Sequence, residues 1–79
     1  MGFAKDEAEI AERAARFLKA ELKRAGVTYD ELAKRLKGHG VTETRDSIAS
    51  KLKRGTFAAT FFLACLAALE MEGVRLADL

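Results

Sequence analysis

Apolar residues recur at three- and four-residue steps early in the chain, with Ile10, Ala11, Ala14, Phe17, Leu18, Leu22 and Ala25 on one face. Glu9, Glu12, Arg13, Arg16, Lys19, Glu21 and Lys23 cover the other, a pattern that predicts an amphipathic helix from about residue 7 to residue 25. Asp6, three residues before Glu9, supplies its cap, Lys23 and Arg24 suit its negative end, and Gly26 stops it. Residues 1–5 read as a flexible lead-in, and the Glu9–Arg13 and Glu12–Arg16 spacings as a solvated, salt-laced face.

Val27-Thr28-x-x-Glu31-Leu32 is a capping box with an apolar staple, so a second helix begins there and runs to about Lys37, turning Leu32, Ala33 and Leu36 inward. Gly38-His39-Gly40 breaks it, and Thr42 or Thr44 offers the cap of a third helix that ends at Arg54 before Gly55. On that helix Ile48 and Leu52 face the core, Asp46, Ser47, Ser50, Lys53 and Arg54 face away, and Arg45 and Lys51 lie at the margins. The fourth segment, capped by Thr56 and running from Phe57 or Ala58 to Glu72, is apolar nearly all round and has no polar stripe. It is expected to serve both the core and an interface between subunits, through Phe57, Phe61, Phe62, Leu66 and Leu69 together with Val74 and Leu76 of the tail at 74–79. Three phenylalanines at helical spacing among leucines read as packing residues rather than base-stacking platforms.

Seventy-nine residues, 49% of them hydrophobic and none proline or tryptophan, make one all-α domain with a small core. Cys65 is the only cysteine, which leaves no internal disulfide and no thiolate zinc cluster, and it reads as a small buried hydrophobe. No apolar run reaches the roughly 18 residues of a membrane span, and no signal peptide is visible, so a cytoplasmic protein is expected. His39 has no second ligand at metal spacing and reads as a solvated loop residue or a phosphate contact. Without paired carboxylates, a nucleophile beside a base, or a phosphate-cradling glycine loop, the chain is not expected to be an enzyme or to hold a metal, a cofactor or a small-molecule substrate. Charge is distributed unevenly: between Lys34 and Arg54 seven bases face two acids, a local +5 within a chain of net charge +2. Polyanion binding would use that middle stretch.

Gly26-Val27-Thr28 leading into Glu31-Leu32-Ala33-Lys34-Arg35-Leu36, then Lys51-Leu52-Lys53-Arg54-Gly55, Phe57 and Phe61-Phe62-Leu63, resembles the XRE-like, lambda-repressor-like helix-turn-helix domains. The likeness is narrower to an uncharacterised bacterial family of short domains of that kind, and it covers about residues 10 to 76. It implies a bundle of four to five helices containing a helix-turn-helix, with one departure: 38–43 inserts about half a dozen residues where those domains have a tight turn. It implies that helix 44–54 enters the major groove of double-stranded DNA, where Arg45, Ser47, Ser50 and Lys51 would meet base edges. Lys34, Arg35, Lys37, Lys53 and Arg54 would then contact phosphates, fixing register more than sequence. The implied molecule is a small transcriptional regulator, nucleoid-associated and homodimeric, with recognition helices about 34 Å apart. The competing expectation is a helical protein-interaction module that uses the apolar fourth helix and has lost DNA contact.

Overall fold

In a computed structural model, which describes residues 3–79, the chain folds as α1 (Glu7–Ala25), α2 (Tyr29–Lys37), α3 (Arg45–Arg54) and α4 (Ala59–Ala68), closed by a 3-10 turn at Leu76–Asp78. No strand occurs among the described residues, so the protein is a small all-α bundle. α2 lies at its centre against α3 and α4, and α1 packs across both.

Capping chemistry sets most of these boundaries. Asp6 accepts from the Glu9 amide at 2.9 Å, and Thr28 accepts from the Glu31 amide at 3.1 Å, each satisfying a helix-start donor. α1 ends in a Schellman motif, with Gly26 left-handed and the Val27 amide donating to the Leu22 carbonyl at 2.9 Å. The same device closes α2: Gly40 is left-handed at φ +75°, and the Val41 amide donates to the Leu36 carbonyl at 3.0 Å. The expected irregular stretch is therefore fixed at its start, since Val41 packs onto the core directly after the turn.

The core joins Leu18 and Leu22 of α1, Leu32 and Leu36 of α2, Ile48 and Leu52 of α3, and Phe61, Cys65 and Ala68 of α4. Burial of Leu18, Leu32, Leu36, Ile48 and Leu52 is complete or nearly so, each contributing about 1.5–3 kcal/mol relative to exposure. Ile10 corrects the expected inner face of α1: it is 43% exposed, and Ala25 is exposed as well. The reason is length, because a 19-residue helix spans about 28 Å and its partners of nine or ten residues cover about half of that. Phe3 and Lys5, expected as flexible, lie against α1: Arg13 donates to the Phe3 carbonyl and stacks 4.7 Å from its ring, and the Lys5 amide donates to Glu9. Residues 1 and 2 of that lead-in lie outside the described residues.

α4 departs furthest from expectation. Thr56 does not cap it; Ala58 occupies that place without a side-chain bond, while Thr56 accepts from Arg54 at 3.1 Å. The helix stops after Ala68 rather than at Glu72, because Glu70 turns left-handed at φ +61° and the Met71 amide donates to the Leu66 carbonyl at 3.0 Å. The tail then returns to α1, where Arg13 Nε donates to the Leu79 carbonyl at 2.7 Å.

Candidate nucleic-acid interface

α3 carries the surface on which the expected contacts concentrate, and its two edges have different fates. Thr44 and Ser47 form a reciprocal capping box: Thr44 Oγ1 accepts from the Ser47 amide at 3.0 Å, and Ser47 Oγ accepts from the Thr44 amide at 2.9 Å. Ser47 Oγ also donates to Glu43 Oε1 at 2.6 Å, and Lys51 Nζ donates to the same oxygen at 3.0 Å. Glu43 is only 11% exposed and Lys51 28%, with the ammonium 5.6 Å above the Phe61 ring. The carboxylate therefore clamps the loop to α3, and Lys51 carries the contact on to Phe61 of α4. Ser47 and Lys51, expected at base edges, are engaged in that clamp: they stand one turn apart on one edge of α3, and Glu43 reaches both from the residue before the extended cap.

Beneath the clamp, burial and the neighbouring Glu43 carboxylate push the Cys65 thiol up from 9.0 to about 12. Both causes disfavour the thiolate, which keeps the sulfur a packing atom rather than a nucleophile.

Arg35 is likewise occupied. Its Nη1 donates to the Ala68 carbonyl at 3.1 Å, satisfying an orphan acceptor at the end of α4, and its Nε pairs with Glu31 at 3.1 Å. The remaining cations on the middle helices face solvent. Lys34 and Lys37 share one exposed face of α2, and Lys53 and Ser50 stand on the outer face of α3. Arg54 is exposed and, among the described residues, bonds only Thr56, a neutral partner, so its charge is not neutralised there. Arg45, at the first turn of α3 and 65% exposed, reaches Asp30 at 3.9 Å and Asp46 at 3.6 Å. Pairs that long and that wet contribute about 0–1 kcal/mol and release easily.

The residues expected at a subunit interface separate as well. Phe61 and Leu66 are buried inside the chain, which removes them from any contact surface. Phe57, Phe62, Leu69 and Val74 are half-buried, Phe57 stacking near-parallel on Phe62 at 6.1 Å, and Leu76 is exposed. The one exposed large apolar side chain of α4 among the described residues is Leu63, at 62%, which was not among the expected interface residues.

A small all-helical domain with a solvent-facing basic ridge is the class of molecule these features define. Residues 10–74 match the family described as a domain of unknown function, DUF6471, and the chain belongs to that family. No curated protein and no solved structure matches it. No helix among the described residues is long and apolar enough to cross a membrane.

Proposed function

We propose that this chain is a non-enzymatic DNA-binding module, a small cytoplasmic regulator that presents the outer face of α3 to the major groove of a duplex. The observation that carries the reading is the composition of that face: Ser50 lies one turn before Lys53 and Arg54, all three are exposed, and among the described residues no acid lies within ion-pair distance of either cation, the one acid of the face, Asp46, standing 3.6 Å from Arg45. A small hydroxyl lets a helix backbone approach base edges, and flanking cations fix it on the phosphates. Arg45 joins Ser50 as a base-edge contact once its loose pairs open, and Lys34, Lys37, Lys53 and Arg54 hold phosphates. The lambda-repressor-like resemblance of the sequence supports the same orientation.

Two copies joined through α4 would place two such ridges on one duplex. The exposed strip of α4 suits that role because no charged residue occurs between Thr56 and Leu69, so a symmetric contact would bring no like charges together. The same strip supports the second reading, docking of a different helical protein.

Selection of bound duplexes from a random pool tests the proposal. The expected result is an enriched motif, with Ser50→Asn changing the preferred bases and Lys53→Gln weakening all duplexes alike. No enrichment, and no duplex binding at 50 mM salt, would overturn it.

A further inference from the structure

The cations of α1 lie outside the basic stretch of the sequence, yet the fold sets them beside it. Arg16, Lys19 and Lys23 recur at i, i+3 and i+7, so they share one exposed face of α1. None of the three has an acidic partner within ion-pair distance, Glu12 and Arg16 included, among the described residues. Two open depressions separate this face from α3. The first is lined by Arg16 and Lys19 on one side and Lys53 and Arg54 on the other, over a floor of Ala11, Ala15 and Leu52. The second is lined by Lys19 and Lys23 opposite Arg45. Lys19 borders both, so the two depressions follow one another along the same side of α1, and together they are termed the trench.

We infer that this trench is the track of a single phosphodiester strand, the wall of the duplex groove that α3 enters. The inference rests on the duplex-binding reading of α3 and adds α1 to the interface. Six bases face the trench against two acids, Glu12 at one end and Asp30 at the other, leaving a local charge of +4. Spacing argues for a strand rather than a compact anion. From Arg16 to Lys23 the helix advances about 10 Å, a length that an extended polyanion spans and a compact anion does not. Depth argues the same way. Packed helices lie about 8–10 Å apart, and the major groove is about 12 Å wide. A helix packed beside one seated in the groove therefore lies over the bordering backbone. The small residues of the floor keep α1 close enough to do so.

The test measures the salt dependence of duplex affinity by fluorescence anisotropy between 50 and 300 mM salt. For Arg16→Gln, Lys19→Gln and Lys23→Gln combined, the log-log slope is expected to become shallower by about 2.7, and for Lys19→Gln alone by about 0.9. A control with the same charge change at Lys5, Arg24 and Arg75 is expected to keep the wild-type slope. All six side chains are exposed, and matching circular dichroism spectra verify that each variant folds. An unchanged slope in the α1 variants, or an equal change in the control, overturns the trench while leaving duplex binding by α3 intact. Tighter binding of a single strand than of the duplex overturns the assignment to a groove wall. No duplex binding by the wild-type protein overturns the trench and the α3 reading together.

Discussion

Lys51→Met tests what holds α3 in place, because Lys51 is half-buried between Glu43 and Phe61. The substitution keeps the aliphatic stem against Phe61 and removes the ammonium that lies 3.0 Å from Glu43. At that distance the attraction is about 5.5 kcal/mol for an effective dielectric of 20, before the desolvation of both groups is subtracted. Fully exposed pairs contribute about 0.2–1 kcal/mol, and breaking a fully buried pair costs about 3–5 kcal/mol. With Glu43 11% and Lys51 28% exposed, the pair falls between these limits, and a loss of about 2 kcal/mol is expected. For a domain of this size that lowers Tm by about 8–16 °C. Glu43→Gln should cost less, since the amide still accepts from Ser47, and the double variant should be more stable than the sum of the two losses implies. Urea unfolding followed by circular dichroism reads this as a shift in midpoint at unchanged slope. Losses that add to within about 0.5 kcal/mol would show that Glu43 and Lys51 do not act on each other and would refute the clamp.

Glu70→Gly is expected to stabilise the fold by about 1 kcal/mol, because the residue is left-handed at φ +61° and only glycine adopts that conformation without a side-chain penalty; a lowered urea midpoint would contradict this. Cys65 should resist thiol reagents at pH 8 unless urea opens the fold, and rapid labelling of the native protein would contradict its burial. Its thiol is raised from 9.0 to about 12, so its contribution to stability is complete below pH 9 and is lost as pH rises towards 12; Cys65→Ala should flatten that alkaline decline in thermal melts. On the proposed contact through α4, Leu63→Glu should abolish self-association in sedimentation equilibrium and with it any dependence of Tm on protein concentration, since the side chain is 62% exposed and outside the core; persistence of a dimer would exclude this face of α4 from the contact.

How far the sequence reached depended on whether the controlling interaction was local. The starts of α1, α2 and α3 were legible because Asp6, Thr28 and Thr44 bond amides three residues ahead, within reach of the linear pattern. The end of α4 was not, because Glu70 is a poor residue for the left-handed position. A Schellman closure without glycine is held by the turn's own hydrogen bonds and by the packing of Leu66, not by any side-chain signal. α4 also offered no periodicity with which to tell Phe61 and Leu66, which are buried, from Leu63, which is not. At the candidate interface, exposure of Ser50, Lys53 and Arg54 followed from the helical wheel. The withdrawal of Ser47 and Lys51 did not, although Glu43, Ser47 and Lys51 stand at successive four-residue steps. That spacing is no signal by itself, because Glu43 lies before an extended cap residue and reaches the helix edge only through the path of the loop.

The same clamp bears on how α3 could recognise anything. A short helix at the end of a long connection would ordinarily have a loosely defined angle to its neighbours, and a displacement of about 1 Å is enough to spoil directed polar contacts. Here Gly40 and Val41 fix the exit from α2, and Glu43 ties the following loop to the inner edge of α3 through Ser47 and Lys51. The inner edge is consumed in doing so, and the outer edge, about one third of a turn away, keeps Ser50 and Lys53 exposed to solvent. Polar residues on one short helix thus divide by edge: those that hold the helix cannot also read a ligand, and those that can read one contribute little to holding it. Binding by such a preset helix loses little conformational entropy on contact, so affinity would respond to the outer-edge residues one at a time. Stability would respond to Glu43 and Lys51 as a pair.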